Sequence, residues 1–143
     1  MFKILKSLFS KNLGSSIKIP FVPNPSGKII AAKVVRIEKH PNADRLRVIY
    51  LDGGSGEIGP VVCGAFNFGE GEMVVLALPG ATIAQNIHSD THESFVLDKA
   101  KIRGVESQGM ICAEFELGLT DTPGDKPEIM ILPASTAPGT ILG

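Results

Sequence analysis

The stretch Lys101–Cys112, KIRGVESQGMIC, sets cationic, turn-forming and apolar residues side by side. In an extended chain Lys101 and Arg103 project to one side and Ile102 to the other, because successive side chains alternate across a strand. Gly104 and Gly109 bracket Val105-Glu106-Ser107-Gln108, where missing side chains permit a tight turn or a close backbone approach. Met110-Ile111-Cys112 is apolar again, as a strand re-entering a core would be. The pattern predicts a cationic strand, a turn over 105–108 and an apolar strand. Its charges suit either an edge that meets a phosphate backbone or an ordinary solvated face.

The segments around it carry the same rhythm. Upstream, Phe95–Arg103 reads as the strand leading into the turn, and Ala81–Asp90 is irregular. Downstream, Glu114–Leu119 reads as a helical turn, Asp121–Pro127 as a loop and Ile129–Leu132 as a closing strand. Earlier, Lys28–Lys39 (KIIAAKVVRIEK) is a long first strand with Lys33, Val35, Ile37 and Lys39 on one side. His40-Pro41-Asn42-Ala43-Asp44 is a compact turn: Pro41 fixes φ, and Asn42 and Asp44 can bond backbone two residues on. Arg45–Leu51 resumes as a strand, and Asp52–Gly56 is a hairpin loop. Ile58–Cys63 follows, with a bulge or edge signalled by Gly59-Pro60. Met73–Leu78 is a short apolar strand. Short strands at even spacing, without a crossover helix between them, predict an all-β fold: a small five-stranded Greek-key barrel. Barrels of this kind present a face and loops that commonly bind oligonucleotides.

Composition agrees with one globular domain. The chain has 143 residues, 43% hydrophobic and 20% charged, which excludes disordered and membrane-spanning classes. Cys63 and Cys112 are the only cysteines and form no CxxC pair, so two buried free thiols in a cytoplasmic protein are expected. Charge is lopsided. Residues 1–47 hold ten Lys/Arg against Glu38 and Asp44, whereas 48–143 hold four basic residues against thirteen acidic ones. A net charge of −1 therefore still permits a strongly basic face. Met1–Leu13 places Phe2, Leu5, Leu8, Phe9 and Leu13 at helical spacing among lysines. The pattern predicts a short amphipathic helix that packs on the domain or on a second copy, and is too short to span a membrane. Pro20, Pro23 and Pro25 then mark a connector, dividing residues 1–27 from a domain over 28–143.

Motifs for hydrolytic or nucleotide-driven catalysis are missing: there is no P-loop, HExxH or GxSxG. His88 and His92 would converge on a metal only from a helix, and their surroundings read as a loop. No cofactor, metal or catalytic residue is assigned, and the chain reads as a binder rather than an enzyme.

HPNADRLRV at His40–Val48, VVCGAFNF at Val61–Phe68, VVLALPGA at Val74–Ala81 and AKIRGVESQGMICAEFELGL at Ala100–Leu119 carry a resemblance. In this order they resemble the tRNA-binding domain found near the N-terminus of the bacterial phenylalanyl-tRNA synthetase β chain. Stand-alone tRNA-binding proteins and some methionyl-tRNA synthetases share that family. The resemblance implies an OB-fold with a C-terminal extension that binds tRNA by shape, as a non-catalytic synthetase domain or a free-standing relative. It implies an RNA contact set of Lys101, Arg103, Ser107, Asn67 and Met110, with Arg45 and Asn42 beside them. Lys101 and Arg103 would supply charge, Asn67 and Ser107 short hydrogen bonds, and Met110 a surface for a base. The partners implied are tRNA, synthetase subunits or a second copy, and no membrane. Two departures stand out: Phe66 replaces the family's usual proline, and Phe68 follows Asn67. The two rings either add a stacking surface or fill the end of the barrel. A subunit-assembly module with vestigial RNA affinity is the alternative that the resemblance also allows.

Overall fold

The computed structural model describes residues 27–143. The helix expected over residues 1–13 and the Pro-rich stretch that follows it lie outside the described residues. Four strands form the frame: β1 (Ile29–Lys39), β2 (Arg47–Asp52), β3 (Glu57–Cys63) and β4 (Met73–Ala77). All pair antiparallel, with β1 between β2 and β4 and β3 beyond β2. The register slips between Val34 and Arg36 on β1, and between Ile49 and Leu51 where β2 faces the Gly59-Pro60 segment. The second slip is the bulge that glycine and proline in a strand predict.

Downstream strands are short. β5 (Thr82–Ile83) pairs with β6 (Phe95–Val96), and β7 (Ala100–Ile102) with β8 (Val105–Ser107). The single strand expected over Phe95–Arg103 is therefore two, interrupted where Leu97 turns its backbone to Gly80 and Ala81. β9 (Met110–Ile111) and β10 (Ile131–Leu132) share the second edge of β4, one opposite Leu76-Ala77 and the other opposite Met73-Val74.

The barrel closes through the segment that links β8 to β9. The Val62 backbone N–H donates to Ser107 Oγ at 2.9 Å, and that hydroxyl donates to the Gly109 carbonyl at 2.9 Å. Gln108 N adds a bond to Pro60 O at 2.8 Å. One segment thus bridges β3 and β4. Gly109 is required there: a Cβ would stand 2.6 Å from the Ala77 carbonyl oxygen.

Two cores share the same strands. Ile30, Ala32, Val34, Ile49, Leu51, Val61, Val74, Leu76, Ile111 and Phe68 fill the barrel. On the outer side, Ile29, Ala31, Met73, Val75 and Ala77 pack with Ile83 of β5 and with Cys112, Leu117, Leu132 and Leu142 further downstream. Alternation explains the split, since odd and even residues of β1 and β4 enter different cores. The extension contains the turn over Glu114–Gly118, in the place where a helical turn was expected. It returns to pair with the start of β1: Ala31 N donates to Thr140 O at 2.8 Å, and Leu142 N to Ile29 O at 2.8 Å.

Two expectations follow. Ser107→Ala leaves the buried Val62 N–H without its acceptor and should lower unfolding stability by about 1–3 kcal/mol in a urea titration; an unchanged midpoint would exclude the clasp. The second concerns Glu116, whose carboxyl accepts from Ala113 N at 2.8 Å. Burial raises its pKa above the usual carboxylate range, against the lowering effects of the Ala113 bond and His88. Stability from its protonated form is full below the unfolded pKa and is lost as pH rises through the folded one. Glu116→Gln keeps the acceptor without the charge, so its stability relative to wild type should increase with pH through that window.

Candidate functional site

The hairpin at Lys101–Gln108 turns earlier than its glycine bracketing suggests. Ile102 pairs with Val105, leaving Arg103-Gly104 as a two-residue loop. Arg103 has φ 52° and Gly104 φ 94°, the two positive angles of a type I′ turn. The glycine bracketing predicts a turn over 105–108 with Arg103 in line with Lys101; instead, Val105–Ser107 is a strand and Arg103 occupies the tip. Right-handed strand twist favours a primed turn, and Gly104 supplies one of its two left-handed residues at no steric cost. Arginine at the other costs on the order of 1–2 kcal/mol.

The turn after β1 holds that tip. His40 is 2% exposed. Its Nδ1 accepts from Asn42 N at 3.0 Å, and its Nε2 lies 3.0 Å from the Ile102 carbonyl, which it serves as donor. Asn42 Nδ2 donates to the Arg103 carbonyl at 2.9 Å. Two elements about sixty residues apart in sequence are thus joined at the backbone just before and at the strained residue. Lys101, Arg103 and Asn42 are exposed at this junction, and Arg45, three residues further along the chain, is exposed as well. Glu106 stands opposite Lys101 in the ribbon, so the patch is mixed rather than purely basic.

The other expected site residues are placed differently. Ser107 is 3% exposed, and its hydroxyl is engaged in barrel closure on both sides. The amide of Asn67 is bidentate on backbone: Nδ2 donates to Ile129 O and Oδ1 accepts from Ile129 N, each at 3.0 Å. Met110 is half-buried against the outer core. Both residues thus bond to the protein's own backbone, Ser107 from a buried position and Asn67 from an exposed one. His40 was not singled out by sequence reasoning, although a histidine two residues before an asparagine in a proline turn was its signal.

Phe66 and Phe68 divide between the two roles left open for them. Phe68 is buried in the barrel core, while Phe66 is 54% exposed. Between them lies the Arg47 guanidinium, 4.6 Å from the Phe66 ring centre and 4.7 Å from that of Phe68. Its Nη2 donates to the carbonyls of Ala65 at 3.2 Å and Phe68 at 3.0 Å.

The His88–His92 segment is not helical; His92 has φ 52° and meets Phe115 edge-on with ring centres 4.9 Å apart. Among the described residues no group of three or more His, Cys, Asp or Glu is disposed around a common point. Burial pushes both thiols up, Cys112 well above the ordinary value, so neither is poised as a nucleophile. A hollow of about 310 Å³ is lined by Phe115, Thr120, Lys126 and Glu128 among others, without His88 or His92. Among the described residues no helix is long and apolar enough to cross a membrane.

Comparison with known proteins gives the same direction. Residues 29–141 match the family described as "Putative tRNA binding domain". The phenylalanine–tRNA ligase β subunit of Chlorobaculum tepidum is 46% identical over 108 residues, which cover 76% of this chain and 12% of that one. The β subunits of Anaeromyxobacter dehalogenans and Bacteroides thetaiotaomicron are each 43% identical over 80% and 79% of this chain, and 13% of theirs. The match thus spans about an eighth of the length of these relatives. A MetRS-related protein from Pyrococcus horikoshii, of known crystal structure, shares the fold with TM-score 0.54 and 20% identity over 78% of this chain and 85% of that one. With the family's pattern running through nearly all of the described barrel, this chain belongs to the tRNA-binding domain family.

Proposed function

We propose that residues 28–143 bind tRNA by shape, without reading a defined sequence, and that residues 1–27 are an appended segment. The observation that carries this reading is the Arg103-Gly104 tip, a cationic turn held in a costly conformation by His40 and Asn42. Strain of this kind persists where the surrounding structure over-determines it, and it clusters at functional positions. Lys101 and Arg103 neutralise phosphates, and Arg45 extends the cationic patch. Met110 lends its half-exposed edge to a sugar or base. Asn42, Asn67 and Ser107 act by fixing backbone, so their effect on binding comes through geometry. Folded RNA offers mainly phosphates and 2′-hydroxyls to such a surface.

The family domain is a non-catalytic binding module, and the ligase activity belongs to the relatives that carry it. We assign no reaction to this chain. Its working place is the cytoplasm beside the translation machinery, with synthetase subunits or a second copy as protein partners. The family match and the β-subunit relatives support that placement.

Filter binding against total tRNA, with duplex DNA as control, tests the reading. Micromolar affinity that falls steeply with salt and prefers tRNA is expected; no binding at low salt would overturn it in favour of an assembly role. Lys101→Ala with Arg103→Ala should weaken binding and reduce the log–log salt slope by roughly two, about one for each lost phosphate contact. A folded double mutant with unchanged affinity would remove both residues from the site. Arg103→Asn separates stability from binding. Asn-Gly suits a type I′ turn, so this variant should gain up to about 1 kcal/mol in thermal or urea unfolding. It should also lose tRNA affinity, and a loss of stability would refute the strain at the tip.

A further inference from the structure

We propose that Phe66 is a stacking platform for an unpaired base of the bound RNA, an inference that rests on the tRNA-binding reading and adds to it a contact made by neither charge nor groove shape. Single exposed apolar side chains are common on protein surfaces and need no function. Phe66 differs in how it is held. One face of its ring is covered by the Arg47 guanidinium, and 54% of the residue remains exposed. Arg47 cannot swing away: it is fixed by the Ala65 and Phe68 carbonyls and backed by the buried Phe68 ring. Its Nε is buried with no hydrogen-bond partner, so the side chain is oriented by the two rings and the two carbonyls. Beyond Phe66, both amide atoms of Asn67 are engaged with Ile129, which pins the backbone that carries the ring.

A ring fixed in this way loses little conformational freedom when a ligand settles on it. The ligand is aromatic and flat by complementarity, and a cation beneath the ring strengthens the stack through the ring quadrupole. A base on the open side would make base, Phe66, Arg47 and Phe68 a continuous stack. The position favours RNA over an apolar protein surface. The Gly64 turn lies against the β1–β2 turn, since a Cβ on Gly64 would stand 3.4 Å from Leu46 Cδ2 and 3.8 Å from the Arg45 carbonyl oxygen. That same β1–β2 turn, through Asn42, grips the cationic tip at Arg103. Phosphate-binding cations and an aromatic face on two sides of one turn are the combination that captures a backbone and its unstacked base.

The test uses the full 143-residue chain with Phe66→Leu, Phe66→Ala and Phe66→Trp, titrated with total tRNA and with a fully paired RNA duplex. Phe66→Leu and Phe66→Ala should weaken tRNA binding by about 5- to 150-fold, the range that base–aromatic stacking spans. The salt slope and duplex affinity should stay as in wild type, because no phosphate contact is lost. Phe66→Trp should keep the affinity, and its fluorescence, the only tryptophan signal in the chain, should be quenched by tRNA. Folded Phe66→Leu with wild-type tRNA affinity would overturn the stack, as would an equal loss on tRNA and duplex. If Lys101→Ala with Arg103→Ala still flattens the salt slope in that case, the stack fails alone. If wild type shows no salt-dependent tRNA binding, the tRNA reading and the stack fail together.

Discussion

Ile29–Ala32 has no free side. Its faces enter two different cores, and its edges are hydrogen-bonded to β4 and to residues 139–143. Such a segment has to be apolar at every position, because a polar side chain on either face would be buried without a partner. The same holds for Met73–Ala77, which faces β1 across the ladder. The barrel and its extension are therefore one cooperative body built on a shared pair of strands. Burying a large aliphatic side chain stabilises by about 1.5–3 kcal/mol; each side chain here enters one layer, while the strand that carries it belongs to both.

The candidate site is carried by this body at one remove. None of its exposed cations lies on the doubly buried strands. They sit on a ribbon and a turn whose own cross-strand bonds are few, and which His40 and Asn42 join at backbone atoms. A short β-ribbon is marginal alone in water. Fixing it through a buried imidazole gives its tip the rigidity that an αL arginine needs. Arg47 does comparable work for Phe66, bonding to carbonyls while lying between two rings. In both places a polar or charged side chain holds backbone, and a neighbour is left to face outward.

The frame was legible because it rests on local apolar patterning. Ile/Val runs bounded by Gly, Pro and Asp located β1 to β4 to within two residues at each end. The hairpin was misread because two of its glycines, Gly104 and Gly109, have different duties. Gly104 supplies a positive φ, while Gly109 gives room for the Ala77 carbonyl. A sequence shows the missing side chain in both cases but not which of the two reasons applies. Ser107 and Asn67 were legible as polar and short, but their partners, Val62 and Ile129, lie 45 and 62 residues away. Long-range pairing of that kind leaves no local trace. The division between Phe66 and Phe68 is clearer afterwards: two residues apart on a turn, one ring goes in and the other stays out.

Residues 139–143 return to the start of β1. Ile29 and the Leu142–Gly143 dipeptide are hydrogen-bonded neighbours, and Ile30 forms a bridge with Ile141. A module whose entrance and exit share one edge can be spliced into a surface loop of a far larger host with little more than a doorway between them. The host's flanking strands or helices need not separate, and the module can lean or swing as a unit about that narrow neck.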